Sequence, residues 1–259
     1  MRRFDLFVGS ALALLAAFVG REALQMRAHL RTVEQRTASF GTRADTALVS
    51  NTEGRPAERP RTTEPVLTRS DMPEVLRRLE LSAHETYISE VIAAHDSALV
   101  RWPERKLEPL RVWVQPSARY ESFREAFVPA VRRAFSDWTD VGIPMSFTFI
   151  VDSATADIRV TWVDRFNEPI SGKTIWAHDA ARWIVDGQIQ LAVRHQSGER
   201  LDSTAVSAIA LHEVGHLLGL DHTSDTTSIM APKVRVSRLS PADRATVQLI
   251  YRLPPGRLN

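Results

Sequence analysis

The sequence predicts a mixed α/β (α+β) domain, and two observations about residues 110–259 support this prediction. Short runs of strand composition, several of them bounded by Gly, Pro, Asp or Ser, alternate with runs of helical periodicity. Their order along the chain is strand, helix, three or four strands, and helix, followed by a terminal helix. From this order we expect a mixed sheet packed against helices.

The predicted elements follow one another closely from residue 110. The run LRVWV, between Pro109 and Pro116, predicts the first strand. The helix after it has one apolar face, formed by Phe123, Phe127, Val131, Ala134, Phe135 and Trp138. Further strands are predicted at 145–151, 158–163, 173–177 and 189–193, and a second helix at 205–218. Ser240 and Pro241 mark the start of the terminal helix, to which we assign only a packing role.

Residues 1–20 form an apolar segment behind two arginines, Arg2 and Arg3. The apolar run of about 15 residues is shorter than the roughly 20 needed to span a bilayer, which favours a signal peptide. The run ends without a small-x-small cleavage triplet, which favours a retained membrane anchor. Both interpretations stay open, ahead of a buried N-terminal helix. In either, the positive-inside rule predicts that the rest of the chain is extracytoplasmic, membrane-anchored or secreted.

The stretch between this segment and the domain divides into two parts. Residues 21–65 are polar and become rich in Arg, Thr, Glu and Pro, a composition that predicts a flexible linker because it cannot bury enough apolar surface to fold. Residues 66–109 are predicted to be a helical segment, with Asp71 at a helix start and Pro73 just inside it. We expect this helical segment to pack on the domain. Its histidines, His84 and His95, are interpreted as surface or packing residues.

The composition excludes several classes of function. Hydrophobic residues make up 44% and charged residues 25%, as in a folded protein with a sizeable core. Lys and Arg number 33 and Asp and Glu 31, so the net charge of +2 gives no reason to expect a nucleic-acid partner. The chain has no cysteine, which excludes disulfides, thiolate metal sites and cysteine nucleophiles.

The run HEVGHLLGLDH, which begins at His212, carries the chemistry. His212 and His216 are four residues apart on a predicted helix, so both imidazoles point to one side and can bind one zinc ion. A continued helix would turn His222 away, but Gly219 can adopt the left-handed conformation that ends a helix and lets the chain return to the metal. Glu213 lies about 100° around the helix from the first ligand, beside the metal-bound water. It is the predicted general base for hydrolysis of a peptide bond by zinc-activated water.

This run resembles the metzincin superfamily of zinc peptidases, whose motif H-E-x-x-H-x-x-G-x-x-H is matched at every fixed position. Met230, which follows His222 closely and precedes Pro232, is similar to the methionine turn of the matrixin branch. The resemblance covers residues 110–255. It implies a twisted mixed sheet with an active-site helix and a C-terminal helix, one catalytic zinc ion, a protein or peptide substrate, and an apolar floor under the metal formed by Met230.

Further metal ions stay unassigned in this chain. Matrixins commonly hold a second zinc ion and calcium ions. His178 lies where one structural-zinc histidine falls in that family, but no histidine in the neighbouring strand joins it, so His178 and His195 are interpreted as surface residues. Asp152, Asp157 and Asp164 offer carboxylates for calcium, although scattered loop carboxylates are usually solvated.

Two other functions fit the same residues. One is a zinc-binding hydrolase of small amides, because a metal and a base alone do not define the substrate. The other is a zinc-binding interaction domain with little turnover, against which the intact Glu213 argues. An exposed edge strand above the metal would favour the endopeptidase, since it admits an extended peptide. Latency through a pro-segment cysteine, known among matrixins, is excluded because the chain has no thiol.

Overall fold

The structure, a computed structural model, describes residues 64–258. The predicted signal peptide or membrane anchor at 1–20 lies outside these residues, as does nearly all of the predicted linker at 21–65. Between residues 64 and 258, no helix is both long enough and apolar enough to cross a membrane.

A five-stranded mixed sheet lies at the centre of the domain, as the strand runs predict. Its strands are β2 (Arg105–Val114), β3 (Met145–Phe149), β4 (Ile158–Val163), β5 (Gly172–His178) and β6 (Ile184–Ala192). Their order across the sheet is β3-β2-β4-β6-β5, and every pair is parallel except the antiparallel pair of β5 and β6. A separate antiparallel pair is formed by β1 (Ala98–Leu99) and β7 (Gly256–Arg257). The order makes β5 an outermost strand of the large sheet.

Two of these strands begin five residues earlier than the sequence predicts. β2 begins at Arg105 and not at Leu110, and its pairing with β3 slips between these two residues. The slip leaves Leu107 94% exposed, so the alternation that marks a half-buried strand is lost there. β6 begins at Ile184, ahead of the predicted start at residue 189. Its first half contains Asp and Gly, which are depleted in strands and hide it in the sequence.

Five α-helices lie within the described residues: α1 (Met72–Ser82), α2 (Ile88–Ala94), α3 (Phe127–Thr139), α4 (Ser203–Leu217) and α5 (Pro241–Arg252). The predicted apolar face of α3 is buried, except that Phe123 precedes the helix and packs edge-on against Phe127 and Trp162. α4 has apolar residues on nearly every side and packs between α3 and the strands β5 and β6. This helix carries the predicted functional residues.

Two tryptophan side chains hold α4 in place. The indole N–H of Trp138 donates to the carbonyl oxygen of Leu211 at 2.8 Å, and that of Trp102 donates to Leu217 at 2.8 Å. The second bond satisfies one of the last carbonyl groups of the helix, which have no partner within it. At the other end, the N-cap Asp202 accepts a backbone N–H of the first turn. The helix is therefore fixed at both ends.

The segment around α2 contributes to the core of the domain. Val75 of α1, Tyr87 at the start of α2, and Ile88 and Val91 within α2 are buried in the same apolar cluster as the sheet and the other helices. β1 follows and pairs with β7 near the end of the described chain. Residues ahead of the large sheet are thus part of the core of the domain.

Candidate metal centre

Three histidines of the run that begins at residue 212 meet at one point. His212 and His216 project from the same face of α4, and His222 returns to them after the helix has ended. The Nε2 atoms of His212 and His216 are 3.1 Å apart, and the Nε2 of His222 lies 3.3 Å from each of them. The structure therefore brings together all three histidines that the sequence predicts as ligands.

Two of the rings are oriented by backbone carbonyl groups. His212 Nδ1 donates to Ile229 O at 2.7 Å, and His216 Nδ1 donates to Leu220 O at 3.1 Å. A carbonyl oxygen can only accept, so each Nδ1 carries the proton and each Nε2 keeps a free lone pair. A bond of this kind from the far nitrogen of the ring is typical of metal-binding histidines.

The same two rings are held neutral. Burial lowers the pKa of His212, although the bond to the backbone at Ile229 opposes the shift. Burial, together with the neighbouring imidazoles of His212 and His222, lowers the pKa of His216 to about 3. Because a metal binds the neutral form of imidazole, neither ring has to lose a proton at neutral pH before it can act as a ligand.

A zinc ion fits the three nitrogen atoms. Tetrahedral zinc with Zn–N bonds of about 2.0–2.1 Å holds its nitrogen ligands about 3.3 Å apart. The separations of 3.1 and 3.3 Å agree with this value, and three lone pairs so close together need a cation between them. Within residues 64–258, no other group of three His, Asp or Glu side chains offers ligand atoms this close to one another. Three protein ligands leave one position for water or substrate, as in catalytic zinc sites.

Gly219 allows the chain to bring His222 back to the other two histidines. Its φ angle is +94°, in the left-handed region that favours glycine. A Cβ atom at this position would also overlap the carbonyl oxygen of Val100. Glycine is required for both reasons, and the sequence pattern shows only the first.

Glu213 points from α4 toward the edge strand β5. Its side chain is buried, and the hydroxyl of Thr174 lies 2.6 Å from Glu213 Oε2 and 2.9 Å from Glu213 O. Gly172 makes room for the carboxylate, because a Cβ there would overlap it. Burial raises the pKa of Glu213 to about 7, against the lowering effect of the Thr174 hydrogen bond. The carboxyl group can therefore accept and release a proton near neutral pH.

Met230 packs against the helix between its two histidines. The residue is fully buried, and its Sδ occupies the space that a side chain at Gly215 would need. Its carbonyl oxygen accepts the backbone N–H of Thr223, the residue after His222, at 3.1 Å. Met230 therefore contacts both the helix and the loop that carry the histidines.

A cleft of about 930 Å³ passes the three histidines. Its lining includes residues 170–176, most of them in β5, and Pro232, Lys233 and Val234 after the Met230 turn. β5 pairs with β6 on one side only, so its other edge is open to a partner. An extended polypeptide can bind such an edge as an additional strand.

The family of the chain follows from comparison with known proteins. The sequence pattern of the matrixin family matches residues 102–252, which include all five strands of the large sheet and the three histidines. The chain belongs to the matrixin family. The predicted matrixin resemblance and the metzincin type of α/β fold are thereby confirmed.

Named relatives of this matrixin occur in plants and bacteria. It is 32% identical over 122 residues to Metalloendoproteinase 1-MMP of Arabidopsis thaliana, an alignment that covers 40% of this chain and 31% of the plant protein. It is 31% identical over 147 residues to Metalloendoproteinase 1 of Glycine max, covering 51% and 47% of the two chains. Karilysin of Tannerella forsythia is 30% identical over 118 residues, covering 40% and 23%. The matrixin thus spans less than half of the length of these relatives.

The sequence interpretation missed a buried carboxylate that supports the site. Asp243, in the first turn of α5, accepts hydrogen bonds from Ser228 Oγ at 2.5 Å and from Ile229 N at 3.1 Å. It also accepts from Ser240 N at 2.7 Å, and the carbonyl of Ile229 is the group that orients His212. The Ser-x-x-Asp spacing indicates a helix cap, and the capping box is present. That spacing alone does not show that the carboxylate is fully buried.

Thr174 and Gly172 were also missed as functional residues. The sequence places both at or beside a predicted strand, and nothing in the pattern indicates that they face Glu213. Their contacts with this carboxylate join parts of the chain that are far apart in sequence. Only the packing of α4 on β5 shows their role.

Two of the histidines that the sequence analysis interprets as surface residues, His178 and His195, have protein partners. His178 Nδ1 donates to Asp179 O at 2.7 Å, and its Nε2 lies 3.0 Å from Arg182 Nη1. His195 Nδ1 lies 2.9 Å from Ser171 Oγ. Neither histidine is one of the three that meet at the candidate centre.

The carboxylates considered for calcium also contact protein groups. Asp157 binds the guanidinium of Arg111 at 2.9 and 3.1 Å, and Asp152 accepts a backbone N–H within its own turn. Asp164 lies 3.4 Å from Arg194. Calcium and a second zinc ion stay unassigned.

Proposed function

We propose that this matrixin is a zinc-dependent endopeptidase that hydrolyses peptide bonds within protein substrates. The observation that carries the proposal is the meeting of three Nε2 lone pairs at a spacing that suits zinc. In this proposal His212, His216 and His222 hold one catalytic zinc ion, and Glu213 is the general base. When bound, zinc polarises the scissile carbonyl group and lowers the pKa of a water molecule toward neutrality.

Glu213 moves the proton in the proposed reaction. Its carboxylate accepts a proton from the attacking water and delivers it to the leaving amine nitrogen as the peptide bond breaks. Burial raises the pKa of Glu213, which favours the transfer of a proton to its carboxylate. The hydrogen bond from Thr174 restricts rotation of the carboxylate and keeps it beside the three histidines.

The cleft favours an extended polypeptide as the substrate. The open edge of β5 offers main-chain hydrogen bonds, while the exposed side chains of Lys173 and Ile175 offer contacts to alternate residues. A small amide has no extended backbone to pair with this edge. The open cleft therefore supports an endopeptidase over a hydrolase of small amides.

We place the proposed activity outside the cytoplasm, on the basis of the N-terminal sequence pattern. The proposed organisation is a signal peptide or membrane anchor at 1–20, a flexible linker at 21–65, a segment at 66–109 and the peptidase domain at 110–259. The segment at 66–109 is helical only in its first part, since it also contains β1 and the start of β2. Contact with a membrane depends on whether the first segment is retained. N-terminal sequencing of protein from membrane and secreted fractions distinguishes the two cases.

The test compares the full chain with Glu213→Gln, a variant that keeps the size of the side chain and its capacity to bond Thr174. We expect about one zinc ion per chain in both proteins, because Glu213 is not a ligand. Cleavage of a mixed peptide library should fall by a factor of about 10²–10⁴, the usual contribution of a general base. Glu80→Gln, an exposed glutamate on α1, is the matched control and should cleave like the wild type.

Each result of this test decides a separate part of the proposal. Equal cleavage by the wild type and Glu213→Gln would refute the role of Glu213, and a chain without zinc would refute the ligand set. Hydrolysis of small amides without cleavage of peptides would establish the first alternative function. Stoichiometric zinc with no turnover in any assay would establish the zinc-binding interaction domain.

A further inference from the structure

The histidine that follows α4 has less support of its own than the two on the helix. His222 is exposed, and its ring Nδ1 lies 4.0 Å from Asp221 Oδ1, beyond hydrogen-bonding distance, although this oxygen accepts the backbone N–H of His222 at 2.6 Å. It also follows Gly219, a residue with wide backbone freedom. The position of this ring therefore depends on how firmly the backbone around residue 222 is held.

A glutamate from a distant helix holds this backbone. The carboxylate of Glu90, on α2, accepts Ser224 N at Oε2, 2.8 Å away, and Ser224 Oγ at Oε1, 3.2 Å away. Ser224 lies two positions beyond His222, and Thr223 between them donates its N–H to Met230 O. The loop is thus attached on one side to the Met230 turn and on the other to α2. Bonds to an ionised carboxylate are about twice as strong as neutral ones, so this attachment is substantial.

We propose that Glu90 is a positioning residue for the third zinc ligand, and that α2, which lies outside the family match at 102–252, is part of the functional unit. The inference rests on the proposed zinc site. Glu90 does not touch the metal position. It acts by fixing the backbone of the loop so that His222 Nε2 stays close to the other two nitrogen atoms.

The helix that carries Glu90 is itself firmly placed. Ile88 and Val91 are buried in the core of the domain. At the start of the helix, Tyr87 OH donates to Asp243 Oδ1 at 3.0 Å, and Tyr87 N donates to Thr246 Oγ at 3.2 Å. A side chain on a firmly packed helix can hold a loop in one position, whereas a side chain on a mobile element could not fix the loop.

The molecule contains a matched control for a glutamate that makes ordinary surface bonds. Glu74 on α1 accepts hydrogen bonds from Arg77 and Arg78, both within its own helix, at 2.7–3.0 Å. Its carboxylate therefore makes charge-assisted bonds as Glu90 does, but these bonds connect it to no part of the metal site. Glu74→Ala therefore shows how the removal of a hydrogen-bonded surface carboxylate changes thermal stability and zinc affinity when that carboxylate does not position a zinc ligand.

The experiment measures the zinc dissociation constant of the full chain by competition with a chromophoric chelator. Glu90→Ala removes both bonds to Ser224, and we expect zinc affinity to fall about 10-fold or more, as for other groups that orient metal ligands. Glu90→Asp keeps the charge but is too short to reach Ser224, and should weaken zinc similarly. Glu90→Gln can accept from Ser224 N and donate to Ser224 Oγ, so we expect a loss of less than about 5-fold. Glu74→Ala should bind zinc like the wild type.

Thermal unfolding of the chelator-treated proteins separates positioning from general stability. We expect the unfolding temperatures of metal-free Glu90→Ala and Glu74→Ala to agree, while only Glu90→Ala loses zinc affinity.

Zinc affinity in Glu90→Ala equal to that of the wild type would refute the inference and leave the proposed function intact. A loss in Glu90→Gln as large as in Glu90→Ala would show an effect of charge, and would refute positioning. If Glu90→Ala does not fold, the other two variants test the proposal. A larger loss of zinc affinity in Glu90→Asp than in Glu90→Gln would support positioning, and equal losses would refute it. A wild-type chain without zinc would refute the metal centre itself, and the inference with it.

Discussion

The histidines on α4 and the histidine after it are held in different ways. His212 and His216 lie on a helix that is packed on several sides, and the Nδ1 of each donates to a backbone carbonyl. His222 is exposed and lies beyond a left-handed Gly219, and the Asp221 carboxylate is too far from its Nδ1 to bond. The Asp221 carboxylate does accept the backbone N–H of His222, and the rest of the loop is held by Met230 and by Glu90. A single metal site can thus combine ligands fixed by local structure with one fixed by distant parts of the chain.

We expect the largest effect on zinc affinity when one histidine is removed, either from α4 or from the loop that follows it. Zinc sites with four protein ligands bind with about 10–16 kcal/mol, which is about 2.5–4 kcal/mol per ligand, so the loss of one histidine here should weaken zinc binding by about 70-fold or more. We expect this loss in both His216→Ala and His222→Ala. The two variants should differ in their free energy of unfolding when zinc is absent. His216→Ala loses the bond to Leu220 and some packing, and should unfold with about 1–2 kcal/mol less free energy. His222→Ala should change by less than about 0.5 kcal/mol, like other surface substitutions.

Urea unfolding in the presence of a chelator, together with zinc competition assays, measures both quantities. Equal free energies of unfolding for the two metal-free variants would remove the contrast between a ligand built into the fold and a ligand added by a loop. Retention of zinc by either variant would contradict its assignment as a ligand.

The next largest effect concerns Gly219, where the helix region joins the loop region. An Ala here would have to adopt a left-handed conformation, at about 1–2 kcal/mol, and would also collide with the carbonyl of Val100. We therefore expect Gly219→Ala to lower the free energy of unfolding by about 2–3 kcal/mol and to weaken zinc binding, because His222 moves. Gly142 has a φ of +86° but no atom within 4 Å of the place that a Cβ would occupy, so it isolates the strain alone. Gly142→Ala should cost about 1 kcal/mol and leave zinc affinity unchanged. Identical effects of the two substitutions on zinc binding would contradict the role of Gly219 in the return of the chain.

The comparison also explains how much of the site the sequence can predict. His212, His216 and Glu213 follow from helical spacing, and His222 follows once Gly219 is understood as a helix terminator. All of these relations are local, because they depend on the geometry of one helix and one turn. The mixed sheet is predictable for a similar reason, since composition and boundary residues indicate each strand.

The supporting contacts are not predictable in this way. Glu90, Thr174 and Asp243 each contact the site from an element that is distant in sequence. A glutamate on the polar side of a short helix, or a threonine in a strand, looks the same whether it holds a functional loop or faces water. What decides the matter is the packing of α2, β5 and α5 around α4, and that packing depends on the whole fold.

The smallest effect concerns Tyr87, next to the helix that carries Glu90. Its hydroxyl is one of several donors to Asp243, so Tyr87→Phe should lower the free energy of unfolding by only about 1 kcal/mol at pH 8. Burial and the nearby Asp243 carboxylate raise the pKa of Tyr87 well above the usual 10.0. A raised pKa stabilises the fold fully below pH 10 and progressively less as the pH rises, since the unfolded chain then releases the proton more readily. The stability of the wild type should therefore fall by about 1.4 kcal/mol relative to Tyr87→Phe between pH 8 and pH 11, as measured by urea unfolding, so that the variant is slightly the more stable protein at pH 11. A stability difference that does not change with pH would mean that the pKa of Tyr87 is not raised in the folded protein. We expect zinc affinity to be unchanged in Tyr87→Phe. A loss as large as in Glu90→Ala would contradict the distinction between the two histidines on α4 and His222. The positions of all three ligands would then depend on α2.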